Sequence, residues 1–481
     1  MNFHDFQSVQ DRRRFLRTAC GVGTISLAQL LHADRLTAAS GDAPSLNPLA
    51  PKSPPAPAKA RNVIFLFMSG APSQLDLFDP KPEMKKWDGQ TLPPSMTTKD
   101  GDFAFISKSA KVWASPRTFS RHGESAMEFS DYWKHLPSCA DDICMIRSMY
   151  TEQINHHTGQ LKMITGTPLV GHPSMGSWVM YGLGSESKNL PGFVVLNSGA
   201  GADAGSGLWG SGFLSSSYQG VPFRGQGDAV LHLSNPPGVS NRMQRARLDA
   251  VRDLNGMQFS SVGDVEIASR IASYELAFRM QMATPELLDF SAESPKTLEM
   301  YGVNQEPTRP FATNCLLARR MIERGVRFVQ LIHGSWDHHS DLIQGVQDNC
   351  DIIDRPTTAL LKDLKQRGLL ENTLVVWGGE FGRTPLAEDR MPGQQGTRGR
   401  DHHRQGFTMW MAGGGVQGGQ TVGKTDDFGF HAIEDRIHVH DLHATMLHCL
   451  GFDHKQLTYR HQGRDFRLTD VAGNVVPKLL T

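Results

Sequence analysis

Three adjacent histidine pairs are the first feature of the sequence that suggests chemistry. They are His156-His157, His338-His339 and His402-His403, whereas about one such pair is expected by chance among 20 histidines in 481 residues. An aspartate, Asp337 or Asp401, directly precedes two of the pairs. Neutral imidazoles and carboxylates are common ligands of zinc, manganese and iron, and a neighbouring carboxylate can orient a ligating ring. The pattern predicts a metal site, while capping or surface roles stay open for any single pair.

A second group of polar residues follows a predicted strand at residues 373–377. Glu380 and Arg383 come soon after this strand, in the run Gly-Gly-Glu-Phe-Gly-Arg-Thr-Pro. In doubly wound sheets, ligands bind beyond the carboxyl ends of the strands, so we expect these side chains near the histidine pairs. Glu380 is a candidate metal ligand. Arg383 is equally suited to bind a phosphate or sulfate oxygen and to hold Glu380 in place.

Five short apolar runs are predicted to be the strands that position these residues. They cover residues 62–68, 143–149, 326–332, 373–377 and 407–412. Each run is apolar almost throughout, which is typical of strands buried on both faces, and segments with helical spacing lie between them. The alternation predicts an α/β fold with a mainly parallel sheet sandwiched by helices. Region 198–305 is rich in Gly and Ser and then helical, and we expect it to be an inserted cap.

The N-terminal residues have the composition of an export signal and a linker. Residues 12–17 read Arg-Arg-Arg-Phe-Leu-Arg and precede a short apolar stretch and several small residues. This order predicts a twin-arginine signal peptide over residues 1–40, and therefore a protein that works in the periplasm or outside the cell. The proline-rich residues 41–60 are predicted to be an extended linker. The main domain is expected at 61–470, followed by a tail at 471–481.

The overall composition excludes several classes of partner and site. Lys and Arg together number 49, as do Asp and Glu, so no global charge favours nucleic acid. No apolar run after the signal reaches about 18 residues, so we expect no stable transmembrane segment. The cysteines beyond the signal form no close pairs, which argues against a disulfide framework and against a cysteine zinc site.

The motifs together resemble those of the exported family known as domain of unknown function 1501, a relative of the alkaline phosphatase and sulfatase superfamily. The resemblance spans nearly all of residues 62–470 and implies an alkaline-phosphatase-like fold. Its motifs are Leu75-Asp-Leu-Phe-Asp-Pro-Lys-Pro82, His333-Gly-Ser-Trp-Asp-His-His339, Gly379-Glu-Phe-Gly-Arg-Thr-Pro385, Gly399-Arg-Asp-His-His403, Asp441-Leu-His-Ala-Thr-Met-Leu-His-Cys-Leu-Gly451 and Gly463-Arg-Asp-Phe466.

The resemblance also implies site positions, and this chain departs from several of them. The superfamily places a metal-binding aspartate directly after its first strand, a role that Asp76 or Asp79 would have to take here. His156 stands where a sulfatase carries its modified cysteine, so a formylglycine mechanism is not expected. Thr158 is left as either a nucleophile or a helix cap. Glu380 takes the place of an aspartate that follows a late strand in the superfamily.

The leading functional hypothesis is a metal-dependent hydrolase acting on a phosphate or sulfate ester of a small molecule or glycan outside the cytoplasm. The expected cofactor is zinc, manganese or calcium, which would polarise the ester and activate water. His156 or His157 would act as acid, base or further ligand, and Arg383 would hold the anion. The alternative is a degenerate superfamily member that binds a glycan or envelope partner without turnover. The candidate metal ligands are Asp76, Asp337, His338, His339, Glu380, Asp401, His402 and His403.

Overall fold

A computed structural model describes residues 47–96, 102–107, 109–224, 230, 233–389 and 398–481. The predicted signal peptide and the first residues of the predicted linker lie outside these ranges. None of the helices within them combines the length and the hydropathy of a membrane-spanning segment.

A nine-stranded sheet forms the centre of the domain, in the order β12-β4-β11-β8-β1-β7-β5-β6, with β15 also paired to β4. Eight of these strands share one direction, and only β11 runs against its neighbours β4 and β8. Four two-stranded ribbons are described beside it: β2-β3, β9-β10, β13-β14 and β16-β17. The bounds are β1 (Asn62–Met68), β2 (Phe119–His122), β3 (Met127–Ser130), β4 (Ile143–Tyr150), β5 (Phe193–Ser198), β6 (Val221–Phe223), β7 (Phe328–His333), β8 (Thr373–Gly378), β9 (Gly382–Asp389), β10 (Arg398–His403), β11 (Phe407–Ala412), β12 (Gln420–Val422), β13 (Lys424–Thr425), β14 (Ala432–Glu434), β15 (Ile437–His438), β16 (Tyr459–His461) and β17 (Arg464–Phe466).

Helices cover both faces of the sheet, and alternate residues of each central strand pack against opposite layers. On β1, Val63 and Phe65 enter one hydrophobic core, whereas Ile64 and Leu66 enter the other. Helices α3, α4 and α10 pack in the first core, and α8 and α9 in the second. The predicted α/β class, with a mainly parallel sheet between helices, is confirmed. The helices are α1 (Gln74–Leu77), α2 (Met84–Trp87), α3 (His156–Thr165), α4 (Met175–Leu183), α5 (Asn241–Val262), α6 (Val265–Leu288), α7 (Pro295–Tyr301), α8 (Arg309–Glu323), α9 (Leu342–Gln366) and α10 (Val439–Cys449).

The region predicted to be an inserted cap, 198–305, also contributes to the sheet. It supplies the edge strand β6, which pairs in parallel with β5. Helices α5 and α6 pack against each other, and α6 also contacts α8 and the short turn Ser216–Tyr218. This helical hairpin therefore lies against α8 and the turn that precedes β6.

Both ends of the described chain are tied to the domain by backbone hydrogen bonds. In the described part of the proline-rich segment, residues 47–60, the N–H groups of Lys52, Ala56 and Ala60 donate to carbonyls of the main domain. Lys52 and Ala56 lie between prolines, Ala60 follows the last of them, and all three retain the N–H donor that proline lacks. In the C-terminal tail, Leu479 is fully buried. The expected linker and tail are therefore docked where the structure describes them.

Candidate metal centre

Four side chains meet beyond the carboxyl ends of the central parallel strands. His156 opens α3, Asp337 and His339 lie in the loop after β7, and His402 belongs to β10. One ligand-type atom from each lies within 4.8 Å of the others. The Nε2 atoms of His156, His339 and His402 are 3.0, 2.9 and 3.3 Å from Asp337 Oδ1. The Nε2 atoms of His339 and His402 are 2.9 Å apart.

Local structure explains why each side chain points into this cluster. Asn155 caps α3 by accepting the N–H of His157 at 3.1 Å, which fixes the first turn that carries His156. After β7, the Ser335 backbone adopts a left-handed conformation, with φ of 76°, and turns the chain toward Asp337. The β9-β10 ribbon pairs His402 with Arg383 and so brings β10 beside the sheet.

The spacing of these atoms fits a metal ion. Ligand nitrogens lie about 2.0–2.1 Å from zinc, so two ligand atoms of a tetrahedral site are about 3.3 Å apart. The four measured distances, from 2.9 to 3.3 Å, lie close to this value. Small outward movements of the side chains would therefore admit an ion at the centre of the cluster.

The second nitrogen of each clustered imidazole contacts a group that can only accept a hydrogen bond. Each Nδ1 therefore carries a proton and donates it, and each Nε2 faces Asp337, where it donates a proton to the carboxylate or, once deprotonated, offers its lone pair to a metal ion. Positive charge, from protons on the imidazoles or from a metal ion, therefore stabilises the carboxylate among these rings. The acceptors are Glu380 for His156, at 2.6 Å, Glu388 for His339, and the Ile154 carbonyl for His402, at 2.7 Å. Such outer partners are typical of metal-ligating histidines.

The pKa values within the cluster also indicate that its environment favours positive charge. Burial lowers the pKa of His156, but hydrogen bonds with Asp337 and Glu380 outweigh it and raise that pKa to about 9. Burial raises the pKa of Asp337, yet the hydrogen bonds from the three imidazoles hold it far below its ordinary value. The environment therefore keeps Asp337 ionised and favours a cation beside it.

Arg383 is buried, with 1% of its surface exposed, and it binds protein groups. Its Nη2 lies 2.6 Å from Asp337 Oδ1 and donates to the Gly70 carbonyl at 2.5 Å. Its Nε and Nη1 donate to the Ala71 and Arg400 carbonyls at 2.9 and 3.0 Å. The guanidinium thus contacts Asp337 and the chain after β1, and the two roles expected from the sequence, binding an anion or holding Glu380, stay predictions.

Two predicted ligands that follow β1 form ion pairs instead of joining the clustered atoms. Asp76 is fully buried, and its Oδ2 accepts from Arg400 Nε at 2.8 Å and from the Ser73 hydroxyl at 2.5 Å. Asp79 Oδ1 lies 2.9 Å from Lys81 Nζ. Both carboxylates in the loop after β1 are therefore paired with cationic side chains.

Only one histidine of each pair enters the cluster. His157 is exposed, with Nδ1 3.3 Å from the Asp203 carbonyl. The His338 ring lies against Gly345, and His403 Nε2 donates to the Phe430 carbonyl. Burial lowers the pKa of both His338 and His403 to about 4. These two rings are therefore neutral near pH 7.

Thr158 and Asp401 have backbone partners. The Thr158 hydroxyl donates to the Asn155 carbonyl at 3.3 Å, whereas the capping residue of α3 is Asn155. Asp401 is fully buried and accepts several backbone N–H groups, including that of His402 at 2.8 Å. An oxygen of Asp401 also lies within 4.8 Å of ligand-type atoms of His339 and Glu388, which makes a second group of this kind.

A family profile described as "Protein of unknown function (DUF1501)" matches residues 60–480. The chain belongs to this family. No curated protein matches it in sequence. The identification made from the sequence motifs is thus confirmed.

Several solved structures of the alkaline phosphatase superfamily resemble this DUF1501 protein. A superfamily protein from Vibrio parahaemolyticus matches with 10% identity and a TM-score of 0.35, over 87% of this chain and 74% of that chain. A sulfatase from Pseudoalteromonas sp. matches with 12% identity and a TM-score of 0.33, over 82% and 68%. The alkaline phosphatase of the Antarctic bacterium TAB5 matches with 10% identity and a TM-score of 0.29, over 74% and 92%. At TM-scores this low, the likeness indicates nothing about activity.

Two residues of the DUF1501 site are absent from the sequence-based predictions. Gln160 donates to the Ser69 hydroxyl at 2.9 Å and lies 3.3 Å from Glu380 Oε1. It follows His156 by four positions on α3, so helical spacing places both on one face and could have identified it. Glu388, which holds His339, lies on β9, and we find no sequence signal for its role.

Proposed function

We propose that this DUF1501 protein is a metal-dependent hydrolase that acts on a phosphate or sulfate ester outside the cytoplasm. One observation carries the proposal: three imidazole Nε2 atoms converge on an Asp337 oxygen, while the second nitrogen of each ring is held by an acceptor. His156, Asp337, His339 and His402 would hold the ion. When bound there, a divalent ion would polarise an ester oxygen and lower the pKa of water.

The composition of the cluster favours zinc or manganese over calcium. Three of its four donors are imidazole nitrogens. Imidazole suits zinc and other transition metals, whereas calcium takes six to eight oxygen ligands. The ester class and the location rest on the family motifs and on the twin-arginine motif, respectively.

The side chains around the proposed ion have different roles. Glu380 fixes the tautomer of His156, and Arg383 keeps Asp337 ionised. Asp337 has 43% of its side chain exposed, whereas His339 and His402 have 9% and 4%, so substrate would approach from the Asp337 side. His157 is exposed next to the first ligand on α3, and we propose it as the group that transfers a proton to or from water or the leaving group.

One observation favours a second candidate, a binding protein without turnover. Arg383 and Asp76, both expected at the reaction site, bind buried protein groups instead. Such a protein would hold the ion and a glycan or envelope partner, and it would not hydrolyse esters.

Metal analysis combined with ester assays tests the proposal. The wild-type protein is compared with a His339→Ala, His402→Ala double variant. The matched control, His338→Ala with His403→Ala, alters the other member of each pair. We expect the ion and the ester hydrolysis to be lost from the first variant, and the ion to be retained by the control.

The possible results separate the hypotheses. Equal metal content in the wild type and the first variant would contradict the ligand assignment. Metal in the wild type without turnover of any phosphate or sulfate ester would favour the binding protein. Purified protein that lacks metal and takes up none on incubation would contradict both candidates.

A further inference from the structure

An exposed aromatic ring lies directly beside two of the clustered histidines. Phe105 has 63% of its surface exposed. Its ring centroid lies 5.1 Å from the His339 ring and 5.4 Å from the His402 ring, and both contacts are edge to face. These two imidazoles are themselves almost fully buried. Phe105 thus presents an apolar surface to solvent at the edge of the candidate metal centre.

Asp401 holds Phe105 in this position. Its Oδ2 accepts the consecutive backbone N–H groups of Ala104, Phe105 and Ile106 at 2.9, 2.8 and 3.2 Å. Its Oδ1 accepts the N–H of His402 at 2.8 Å. A carboxylate bound to several N–H groups makes strong hydrogen bonds, so the aromatic ring and the ligand histidine are fixed to one buried group.

A fixed and exposed phenyl ring suits contact with a ligand. A phenylalanine side chain in water lacks the stabilisation that burial gives, and a ligand that covers the ring would recover part of it. A position fixed in advance also lowers the entropy that binding costs. The flat apolar face of Phe105 complements another flat apolar face, such as an aryl ring or the C–H face of a sugar ring.

We propose that Phe105 is a specificity-determining contact for the organic part of the ester, and that it selects ring-shaped groups over acyclic ones. The inference rests on the proposed function, because it places the ester at the metal centre. Phe105 borders the imidazoles of His339 and His402 and would cover the group attached to the bound ester.

Binding of paired stable anions to the metal-loaded full chain tests this contact without requiring turnover. Phenylphosphonate is compared with methylphosphonate, and benzenesulfonate with methanesulfonate, because each pair shares a head group and differs only in the ring. Sulfoquinovose is compared with 2,3-dihydroxypropanesulfonate as the sugar pair. Calorimetry gives each Kd for the wild type, Phe105→Ala, Phe105→Leu and Phe105→Trp. Leu169→Ala is the control, because Leu169 is also 63% exposed.

We expect the wild type to bind ring probes roughly 2- to 10-fold more tightly than their acyclic partners, the size of an aromatic contact. Phe105→Ala should abolish this preference, Phe105→Leu should reduce it, and Phe105→Trp and Leu169→Ala should retain it. A preference for the aryl pairs alone assigns an aryl ester, and one for the sugar pair assigns a glycan ester.

Three results would overturn the inference, and they differ in what they imply for the proposed function. Equal affinities within each pair for the wild type would exclude the ring contact and leave the hydrolase proposal intact. Failure of every probe to bind the metal-loaded protein would overturn both. A preference that persists unchanged in Phe105→Ala would assign ring selection to another residue.

Discussion

Replacing Glu380 by glutamine tests whether the imidazoles are oriented for a metal. Glu380 is fully buried, and its Oε1 lies 2.6 Å from His156 Nδ1 and 3.0 Å from the Gly70 N–H, which donates to it. Gln160 Nε2 donates to the same oxygen at 3.3 Å. Glutamine preserves the shape of the side chain and removes its charge, so the substitution weakens the hold on His156 without opening a cavity.

The expected magnitude follows from this single contact. Removing an outer partner of a ligating histidine typically weakens metal affinity about 10- to 100-fold. That factor corresponds to about 1.4–2.8 kcal/mol of binding free energy. The other ligands keep their own acceptors, so we expect a weakened site and not its loss.

The assay is competition for the metal between the protein and a chelator of known affinity. Asp354→Asn is the matched control, because Asp354 is also buried and accepts the N–H groups of residues 134–136 at 2.7 to 2.8 Å, away from the cluster. We expect the control to lower the free energy of unfolding and to leave the metal Kd unchanged. A metal Kd of Glu380→Gln within about twofold of the wild type would refute the role given to Glu380.

Three further predictions concern stability. Arg383→Met removes a buried guanidinium and leaves the carbonyls of Gly70, Ala71 and Arg400 without their donor, so we expect a loss of about 1–3 kcal/mol in urea unfolding; a loss under about 1 kcal/mol would contradict a stabilising role for these contacts. Burial lowers the pKa of His440 from 6.5 to about 4. The unfolded imidazole takes up a proton below pH 6.5 and the folded one only near pH 4, so wild-type stability should fall across this window as the pH drops. Identical pH profiles of unfolding for the wild type and His440→Gln would count against this. Finally, metal at 1,000 times its Kd should stabilise the wild type by about 4 kcal/mol, an effect that a chelator removes. An equal thermal shift in the His339→Ala, His402→Ala variant would argue for binding elsewhere.

The sequence predicts the positions of the central strands well but not the direction of every strand. The runs predicted at 62–68 and 407–412 coincide with β1 and β11. Strand β11 nevertheless runs antiparallel to β4 and β8. A strand buried on both faces has the same apolar pattern in either direction, so its direction depends on the neighbours that it meets in the folded chain.

The histidine pairs identify the right segments for the cluster, yet each pair contributes only one clustered residue. Consecutive residues of a strand point to opposite faces, which separates His402 from His403 on β10. On a helix they point about 100° apart, which separates His156 from His157. The adjacent histidines therefore identify the segments that form the site. Because neighbouring side chains on these elements point in different directions, only one member of each pair enters the cluster. The partner of Asp76, Arg400, belongs to a distant segment that no local spacing reveals.

The candidate ligands come from widely separated parts of the chain, at positions 156, 337, 339 and 402. The last of them is carried by the β9-β10 ribbon, which follows β8 in the chain. A nascent or misfolded chain would lack this set of donors and would hold the ion poorly. The metal content of a preparation would then report the fraction of correctly folded molecules, without an activity assay.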